Sequence, residues 1–422
     1  MAQPRIAVTG LGAVTPFGVG VPILWENIVA GRSATAFANE DWLRELSPVV
    51  AQLRDFDAGQ HLTAKAARDL DRVSQMAVIA AREAIADAGY PAMSGPRTFA
   101  GSIPSDRVGV SVGTAFGGMA SYEDGVVKRM QGRSGRVGPR LVSRAIPNAP
   151  AGAITREFLI TGPALTYATA CASGAHAIGE AWHALRRGDV DVFVAGASEY
   201  LFVPTLVAGL RDAGALALHG PADPARWSRP FDAERAGMVM GEGAAMVVLE
   251  PLARALARGA HVYAVLDGYG ASNDAWHETA PHPQGTGAAQ AMERALASAN
   301  MTPTQINYIN AHATATIAGD RAEAIALAAV FGPHLARTPV SSVKGAIGHT
   351  LGASGAVEAV ICAKAVAAGL LPPTINCELP EDGMPPDIVP NSARQAPGVH
   401  SVLSNSFGFG GQNGSLILTR HT

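Results

Sequence analysis

Apolar positions along the chain form short runs, and these runs recur in the same order in its two halves. Continuous Val, Ile and Ala runs that end in Gly or Thr predict buried strands, whereas small residues followed by apolar positions at helical spacing predict buried helices. The strand-like pairs are RIAVTGLGAVT with HVYAVLDGYGAS, RVGVSVGTAFGG with INYINAHATAT, and DVFVAGASE with VHSVLSNSFGFGG. The helical pair is ATACASGAHAIGEAWHAL with GHTLGASGAVEAVICAKAV.

This alternation of strands and helices predicts an α/β architecture with largely parallel sheets. The repeat divides the chain into residues 1–250 and residues 251–422, which we expect to be two domains of similar design. The segment PLARALARGA, which begins at Pro251, predicts a helix that leads directly from one half into the other.

The composition is that of a globular enzyme. The 422 residues are 48% hydrophobic and 16% charged, which is ample for large buried cores. A net charge of −3 provides no general attraction to nucleic acid. The N-terminal segment lacks the features of a signal peptide, and Gly, Pro or charge interrupts each apolar run before it reaches the roughly 18–20 residues that cross a membrane. Three separated cysteines without a CxxC pair predict no disulfide and no metal site. We therefore expect a cytoplasmic protein.

Cys171 is the candidate nucleophile, because it stands between a predicted strand, ALTYATA, and a predicted helix, ASGAHAIGEAWHALRRG. A helix N-terminus stabilises a thiolate and lowers the pKa of the thiol. Small neighbours also leave room for a bulky thioester to approach the sulfur. The alternative is a buried core cysteine, and that alternative is favoured for Cys362 and Cys377.

Two histidines occupy the ends of matched blocks. His312 follows a strand-like run in NAHATAT, and His349 precedes a predicted helix in GHTLGASG. A neutral imidazole N–H can donate a hydrogen bond to a developing enolate or oxyanion. Single histidines are usually structural, but two of them together with Cys171 indicate catalysis.

Lysine is scarce in this chain, which makes Lys344, close before His349, a candidate for a specific role. A buried lysine needs a carboxylate partner, and Glu323 is the nearest candidate by motif. Thr314 and Thr316 alternate in a predicted extended segment, so both hydroxyls can face one channel; the polarity of a turn is the alternative. The glycines of NSFGFGGQNGS allow close backbone approach to a ligand but do not have the GxGxxG spacing of a dinucleotide site.

Taken together, these motifs resemble the β-ketoacyl-acyl carrier protein synthases, which are ketosynthases of the thiolase superfamily, and in particular their elongating type. The resemblance covers nearly the whole chain. It rests on TYATACASG, NAHATAT, SVKGAIGHTLGASG, RPFDAERAGMVMGEGAAMVVLE and NSFGFGGQN. It implies a five-layered αβαβα thiolase-like fold of two pseudo-repeated halves, usually in a homodimer.

The resemblance also implies the chemistry. Cys171 would accept an acyl group from the phosphopantetheine arm of an acyl carrier protein, with no other cofactor bound. His312 and His349 would then bind a malonyl thioester while it loses CO2. The supporting residues implied are Lys344 and Glu323 for electrostatics, the N–H groups of Cys171 and Phe409 for the oxyanion, Phe409 as a gate, Thr314, Thr316, Gly410 and Phe116 for substrate binding, and Lys65 and Arg68 for carrier docking.

Several positions depart from the family pattern. The usual HGTST is HATAT, the following Pro is Ile317, and Ala236-Gly237-Met238 replaces Asp-Gly-Phe. Phe116 stands where a smaller aliphatic residue is common, which predicts a preference for short or unusual acyl chains. Arg133, Arg136 and Arg140 add positive charge near the expected docking surface.

Three alternatives remain open at this stage. The first is a polyketide ketosynthase that works as a heterodimer with a partner lacking the nucleophile, because its chemistry is the same. The second is a non-catalytic scaffold or chain-length partner, which the presence of Cys171, His312 and His349 disfavours. The third is a thiolase acting on coenzyme A, which would need a second active-site cysteine, and neither Cys362 nor Cys377 lies in a matching motif.

Overall fold

Residues 3–90, 98–99, 103–132 and 136–421 are described by the computed structural model. The strands are β1 (Ile6–Thr15), β2 (Gly18–Val19), β3 (Ala36–Phe37), β4 (Val49–Ala51), β5 (Thr98–Phe99), β6 (Ile103–Pro104), β7 (Val108–Gly113), β8 (Ala164–Tyr167), β9 (Val192–Glu199), β10 (Met240–Gly241), β11 (Gly243–Pro251), β12 (Ala264–Asn273), β13 (Tyr308–Asn310), β14 (Val340–Ser341), β15 (Leu370–Leu371), β16 (Arg394–Gln395), β17 (Ser401–Gly408) and β18 (Gln412–Thr419). The helices are α1 (Val21–Val29), α2 (Asp41–Leu46), α3 (Ala64–Asp69), α4 (Arg72–Asp87), α5 (Met119–Met130), α6 (Leu141–Ala145), α7 (Ala149–Phe158), α8 (Ser173–Arg187), α9 (Pro204–Asp212), α10 (Leu252–Ala257), α11 (Thr286–Ala299), α12 (Ile317–Phe331), α13 (Lys344–Ile347) and α14 (Ser354–Ala368).

The large sheet repeats one strand order in its two halves. From the edge to the centre, the first half runs β8-β7-β9-β11-β1 and the second runs β14-β13-β17-β18-β12. The halves join where β1 pairs with β12, in the register Ile6 opposite Leu266 and Val8 opposite Ala264. The paired blocks of the sequence therefore correspond to equivalent strands and helices.

The expectation of largely parallel sheets is wrong for the centre of the molecule. The outer strands β7, β8 and β9 pair in parallel, as do β13, β14 and β17, but β1, β11, β12 and β18 pair antiparallel with their neighbours. Helices cover both faces of the central strands, so these antiparallel strands are apolar on both faces. Their sequences consequently look like those of buried parallel strands.

Five layers result from this arrangement, as the thiolase-like fold requires. Helices α4 and α7 cover the outer face of the first half, α11 and α12 cover the second, and α8 and α14 form the central layer. Gly174 and Gly355 allow the two central helices to touch. A Cβ on Gly174 would lie 2.7 Å from the backbone N of Ala356, and one on Gly355 would lie 2.7 Å from that of Ala175.

One helical segment, Leu351–Ala368, has the length and apolar composition that a membrane crossing needs. Glu358 and Lys364 interrupt its apolar run, as the sequence analysis expects. This segment includes α14, and 83% of it is buried inside the protein. It is apolar because it lies between two sheets, so the core of the fold accounts for its composition.

Candidate active site

A tight turn places Cys171 at the beginning of α8. The turn is a 3-10 segment, Ala170–Ala172, and Ala170 has a φ of 50°, which is a left-handed conformation that costs energy for alanine. The Thr169 N–H donates to Ser173 Oγ at 2.9 Å, and that hydroxyl donates to the Ala170 carbonyl at 2.6 Å. These bonds hold the sulfur at the edge of a cavity.

The electrostatics of the thiol differ from the expectation. Burial raises the pKa of Cys171 to about 12, although Lys344 and the backbone N–H groups of Phe409 and Cys171 act in the opposite direction. The prediction of a lowered pKa is therefore wrong, because the loss of hydration outweighs the favourable helix terminus. The thiol carries its proton at neutral pH, so its activation needs a base within reach.

The imidazole of His349 is the basic group within reach of this thiol. Its Nε2 lies 3.1 Å from Cys171 Sγ, and its Nδ1 lies 2.9 Å from Ser354 Oγ. The Thr350 hydroxyl lies 3.0 Å from the same oxygen. Since a hydroxyl can donate or accept, Ser354 supports either tautomer of the His349 ring.

His312 completes the cluster from the second half of the molecule. Its ring centroid lies 5.3 Å from that of His349, and the two planes are nearly perpendicular, at 83°. One ligand atom each of Cys171, His312 and His349 lie within 4.8 Å of one another. Three residues from distant parts of the sequence therefore meet at one point.

Both imidazoles are neutral at pH 7. Burial lowers the pKa of His312 and of His349 well below the usual 6.5, and the nearby Lys344 ammonium lowers both further. Each ring consequently offers one N–H donor and one nitrogen lone pair. Such a pair can stabilise a developing negative charge without a protonated group in the site.

The predicted partner of Lys344 is wrong. Lys344 Nζ forms its ion pair with Glu358 Oε1, four residues after Ser354 in α14, and both side chains are buried. Glu323 instead accepts the backbone N–H groups of His312, at 2.9 Å, and Ala313, at 2.7 Å. Glu323 therefore holds the backbone of the loop that carries His312, and Glu358 balances the lysine charge.

The remaining predicted substrate residues lie in different places. Thr314 and Thr316 line the cavity, with their hydroxyl oxygens 3.0 Å apart, and Phe409 also lines it. Phe116 packs against the apolar cluster that contains Cys171. Gly410 is exposed and is not among the cavity-lining residues; its N–H donates to the Glu278 carbonyl.

The predicted docking residues Lys65 and Arg68 lie on the exposed helix α3. Arg68 pairs with Asp69 at 3.3 Å, and Asp69 also pairs with Arg140, so part of this positive charge is neutralised. Arg136 is exposed, whereas Arg133 lies outside the described residues.

Sequence analysis missed several residues that the structure places in the site. They include Ser354 behind His349, Glu358 beside Lys344, and the cavity-lining residues Met238, Leu351 and Phe407. A usable signal existed for Glu358, because a carboxylate within the apolar helix GAVEAVICAKAV needs a buried partner. The apolar lining gave no such signal, since its residues look like any core residues.

Comparison with known proteins identifies the family. Residues 3–255 match the N-terminal domain of beta-ketoacyl synthase, and residues 263–378 match its C-terminal domain. The chain belongs to the β-ketoacyl synthase family. This β-ketoacyl synthase is therefore an acyltransferase of the condensing type.

Relatives match the β-ketoacyl synthase over its full length. It is 38% identical over 421 residues to 3-oxoacyl-[acyl-carrier-protein] synthase 2 of Coxiella burnetii, covering 100% of this chain and 99% of the relative. It is 39% identical over 432 residues to a putative mitochondrial 3-oxoacyl-[acyl-carrier-protein] synthase of Schizosaccharomyces pombe, covering 99% of both chains.

Solved structures give the same result. A beta-ketoacyl synthase from Burkholderia phymatum superposes with a TM-score of 0.91 at 33% identity, covering 100% of both chains. A ketosynthase/chain length factor named for ishigamide has a TM-score of 0.87 at 32% identity, also covering 100% of both chains. A type II polyketide synthase acyl-carrier protein in complex with its ketosynthase has a TM-score of 0.90 at 29% identity and the same coverage.

The cluster of Cys171, His312 and His349 also has donor types that bind zinc. The expectation of no metal remains a prediction.

Proposed function

We propose that the enzyme joins an acyl group, carried on Cys171, to a malonyl group delivered on an acyl carrier protein, and releases CO2 and a 3-oxoacyl carrier protein. The observation that carries this proposal is the meeting of one thiol and two neutral imidazoles at a single cavity. Both relatives described above are named as synthases of the same product class.

In the first step, the Cys171 sulfur attacks the thioester carbon of the acyl carrier protein. His349 Nε2, 3.1 Å away, takes the thiol proton and passes it to the departing pantetheine sulfur. The carbonyl oxygen becomes negative as the carbon–sulfur bond forms. The backbone N–H groups of Cys171 and Phe409, which act to lower the pKa of the thiol, would hold that oxygen.

In the second step, the malonyl thioester loses CO2, and its carbonyl oxygen takes the resulting negative charge as an enolate. N–H groups of His312 and His349 would donate to that oxygen. The enolate carbon then attacks the acyl-Cys171 carbonyl, forms the new carbon–carbon bond and expels the sulfur as a thiolate, which takes up one proton from solvent to restore the thiol. Ser354 can donate to His349 Nδ1 in this step, which places the ring proton on Nε2.

Thr314 and Thr316 support delivery of the substrates, because their hydroxyls line the cavity and suit the amides of a pantetheine arm. We assign Phe116 to the acyl pocket, since it packs in the cluster with Cys171, and its size favours short acyl chains. Lys65 and Arg68 are assigned to docking of an acidic carrier protein. Docking that depends on exposed charges weakens with added salt.

The proposal also covers the domain boundaries, the oligomeric state and the cellular compartment of the enzyme. We assign residues 1–250 and residues 251–422 to two domains, on the basis of their common strand order. We also propose a homodimer in the cytoplasm. The three cysteines are all free, which suits a reducing compartment.

A polyketide ketosynthase is the second candidate, because one structural neighbour is named as the ketosynthase of a type II polyketide synthase and another as a ketosynthase/chain length factor. The two candidates differ in what they need for activity. A fatty acid enzyme works as a dimer of this chain alone, whereas the polyketide type needs a ketosynthase-like partner without the cysteine.

The test is a reconstituted reaction with the purified enzyme, an acyl carrier protein loaded with a short acyl group, and a malonyl carrier protein. We expect CO2 release and a carrier protein that carries the 3-oxoacyl product, and we expect His312→Ala and His349→Ala each to reduce product formation by about 100-fold or more. Product formation that both substitutions leave intact would contradict the proposal. Activity that appears only when a partner chain is added would favour the polyketide type.

A further inference from the structure

A third histidine connects the two segments that carry the proposed oxyanion donors. His176 lies in α8 and is only 6% exposed. Its Nδ1 lies 2.8 Å from Thr169 Oγ1, and its Nε2 lies 3.1 Å from the Asn413 carbonyl oxygen. Thr169 stands two residues before Cys171, and Asn413 follows the glycine turn that contains Phe409.

The two hydrogen-bond partners determine the tautomer of the His176 ring. The Asn413 carbonyl can only accept, so His176 Nε2 must carry the proton. Burial lowers the pKa of His176, so the ring is neutral and its Nδ1 accepts from the Thr169 hydroxyl. The imidazole thus donates to one segment and accepts from the other.

The two segments are in close backbone contact at this place. A Cβ on Gly408 would lie 2.9 Å from the Thr169 carbonyl oxygen and 3.0 Å from the backbone N of Cys171. A Cβ on Gly414 would lie 3.0 Å from a ring carbon of His176. The ring therefore fits between the nucleophile turn and the strand that follows the turn of Phe409.

We infer that His176 is a positioning residue that sets the distance between the Cys171 and Phe409 N–H groups, so that both can reach one oxyanion. This inference rests on the proposed function. Oxyanion stabilisation depends on donors fixed within a few tenths of an ångström, and these two donors come from distant parts of the chain. A link through one rigid ring maintains their separation while substrates enter and leave.

Three substitutions of His176 separate the effects of its two hydrogen bonds. His176→Phe retains the volume and loses both bonds, His176→Asn retains an acceptor for Thr169, and His176→Gln retains a donor for Asn413. The matched control is His183→Phe, because His183 lies on the same helix and also packs against Tyr269. No hydrogen bond of the His183 side chain to the segments of Thr169 or Asn413 occurs among the described residues.

Two rates are measured on each purified variant. Acyl transfer from an acyl carrier protein to Cys171, followed by intact mass, needs the oxyanion donors. Alkylation of Cys171 by iodoacetamide needs the thiolate and an open path to the sulfur, but it forms no oxyanion. We expect His176→Phe to slow acyl transfer by about 10- to 100-fold and alkylation by no more than about twofold, with smaller losses of acyl transfer for the Asn and Gln variants. His183→Phe should match the wild type in both rates.

Equal acyl transfer in wild type and variants would overturn the inference, and so would a parallel loss of both rates, which a general structural role produces. If His176→Phe does not fold, the Asn and Gln variants decide the question by the same ratio of rates. A wild-type enzyme that accepts no acyl group at all would instead refute the proposed function.

Discussion

The N-termini of the two central helices have the same backbone design but different chemistry. Each helix follows a 3-10 turn, Ala170–Ala172 before α8 and Leu351–Ala353 before α14. Both turns begin with a left-handed residue, Ala170 at a φ of 50° and Leu351 at 41°. Both helices then begin with Ser-Gly. The position of Cys171 in the first turn corresponds to Gly352 in the second.

The surroundings explain why only the first half carries a cysteine at this position. A Cβ on Gly352 would lie 2.4 Å from Glu199 Oε2 and 2.6 Å from the backbone N of Ala115, so this position has no room for a side chain. The second half instead contributes His349, just before its turn. The repeated fold thus provides two equivalent places, and local packing decides which residue each place can hold.

Breaking the buried ion pair between Lys344 and Glu358 should have the largest effect on stability. Lys344 and Glu358 are paired and buried in the second half, so Lys344→Met leaves a carboxylate without its partner. We expect a loss of about 3–5 kcal/mol in the free energy of unfolding, measured by urea denaturation. The double variant Lys344→Met with Glu358→Leu should recover much of this loss. Lys128→Met, which breaks an exposed pair with Asp124, is the control and should change stability by less than about 1 kcal/mol.

A side chain placed at Gly352, the counterpart of Cys171, should cause the second largest loss of stability. Gly352→Ala places a methyl group against Glu199 and Ala115, and overpacking of this kind costs about 1–3 kcal/mol of unfolding free energy. Gly209→Ala in α9 is the matched control, because a Cβ there meets no atom within 4 Å among the described residues. An unaltered stability of Gly352→Ala would show that space does not limit this position.

The acyl pocket beside the first turn provides a smaller and more specific test. Phe116 packs in the cluster that contains Cys171, so Phe116→Ala should enlarge the pocket. We expect the ratio of acyl transfer rates for long and short chains to rise by about tenfold, because each methylene in an apolar pocket contributes about 1–3 kcal/mol. Intact mass of the acylated enzyme, over a panel of chain lengths, measures this ratio. Equal transfer of short and long chains by the wild type would remove the assignment.

The neutral histidines of the second half lead us to expect that the rate of malonyl decarboxylation hardly changes with pH. Burial and Lys344 lower the pKa of His312 and His349, so acidification from pH 8 to pH 6 leaves both rings neutral. We expect the rate of malonyl decarboxylation to vary by less than about twofold over this range. Burial also raises the pKa of Glu358, the partner of Lys344, to about 7, so the same scan is made on Glu358→Gln. A transition near 6.5 that this variant retains would show that at least one ring has an ordinary pKa.

Sequence patterns predicted the equivalent strands, the central helices and the three residues that meet at the cavity, because each depends on local periodicity or on a short motif. They did not predict that the central strands pair antiparallel, since burial on both faces hides strand direction. They also named Glu323 in place of Glu358 as the partner of Lys344. The apolar surroundings of Glu358 in α14 indicated that it needs a buried partner. Which carboxylate reaches Lys344 depends on the tertiary packing of the helices that carry Glu323 and Glu358, and the sequence does not report those distances.

The central claim is that the thiol of the first half and the imidazoles of the second form one acyl-transfer site. Its most direct test is the intact mass of the enzyme after incubation with an acyl carrier protein, followed by peptide mapping, in the wild type, Cys171→Ala and Cys377→Ala. We predict one added acyl group on Cys171 in the wild type and in Cys377→Ala, and none in Cys171→Ala. An acyl group that Cys171→Ala still retains, or one that maps to another residue, would contradict the claim.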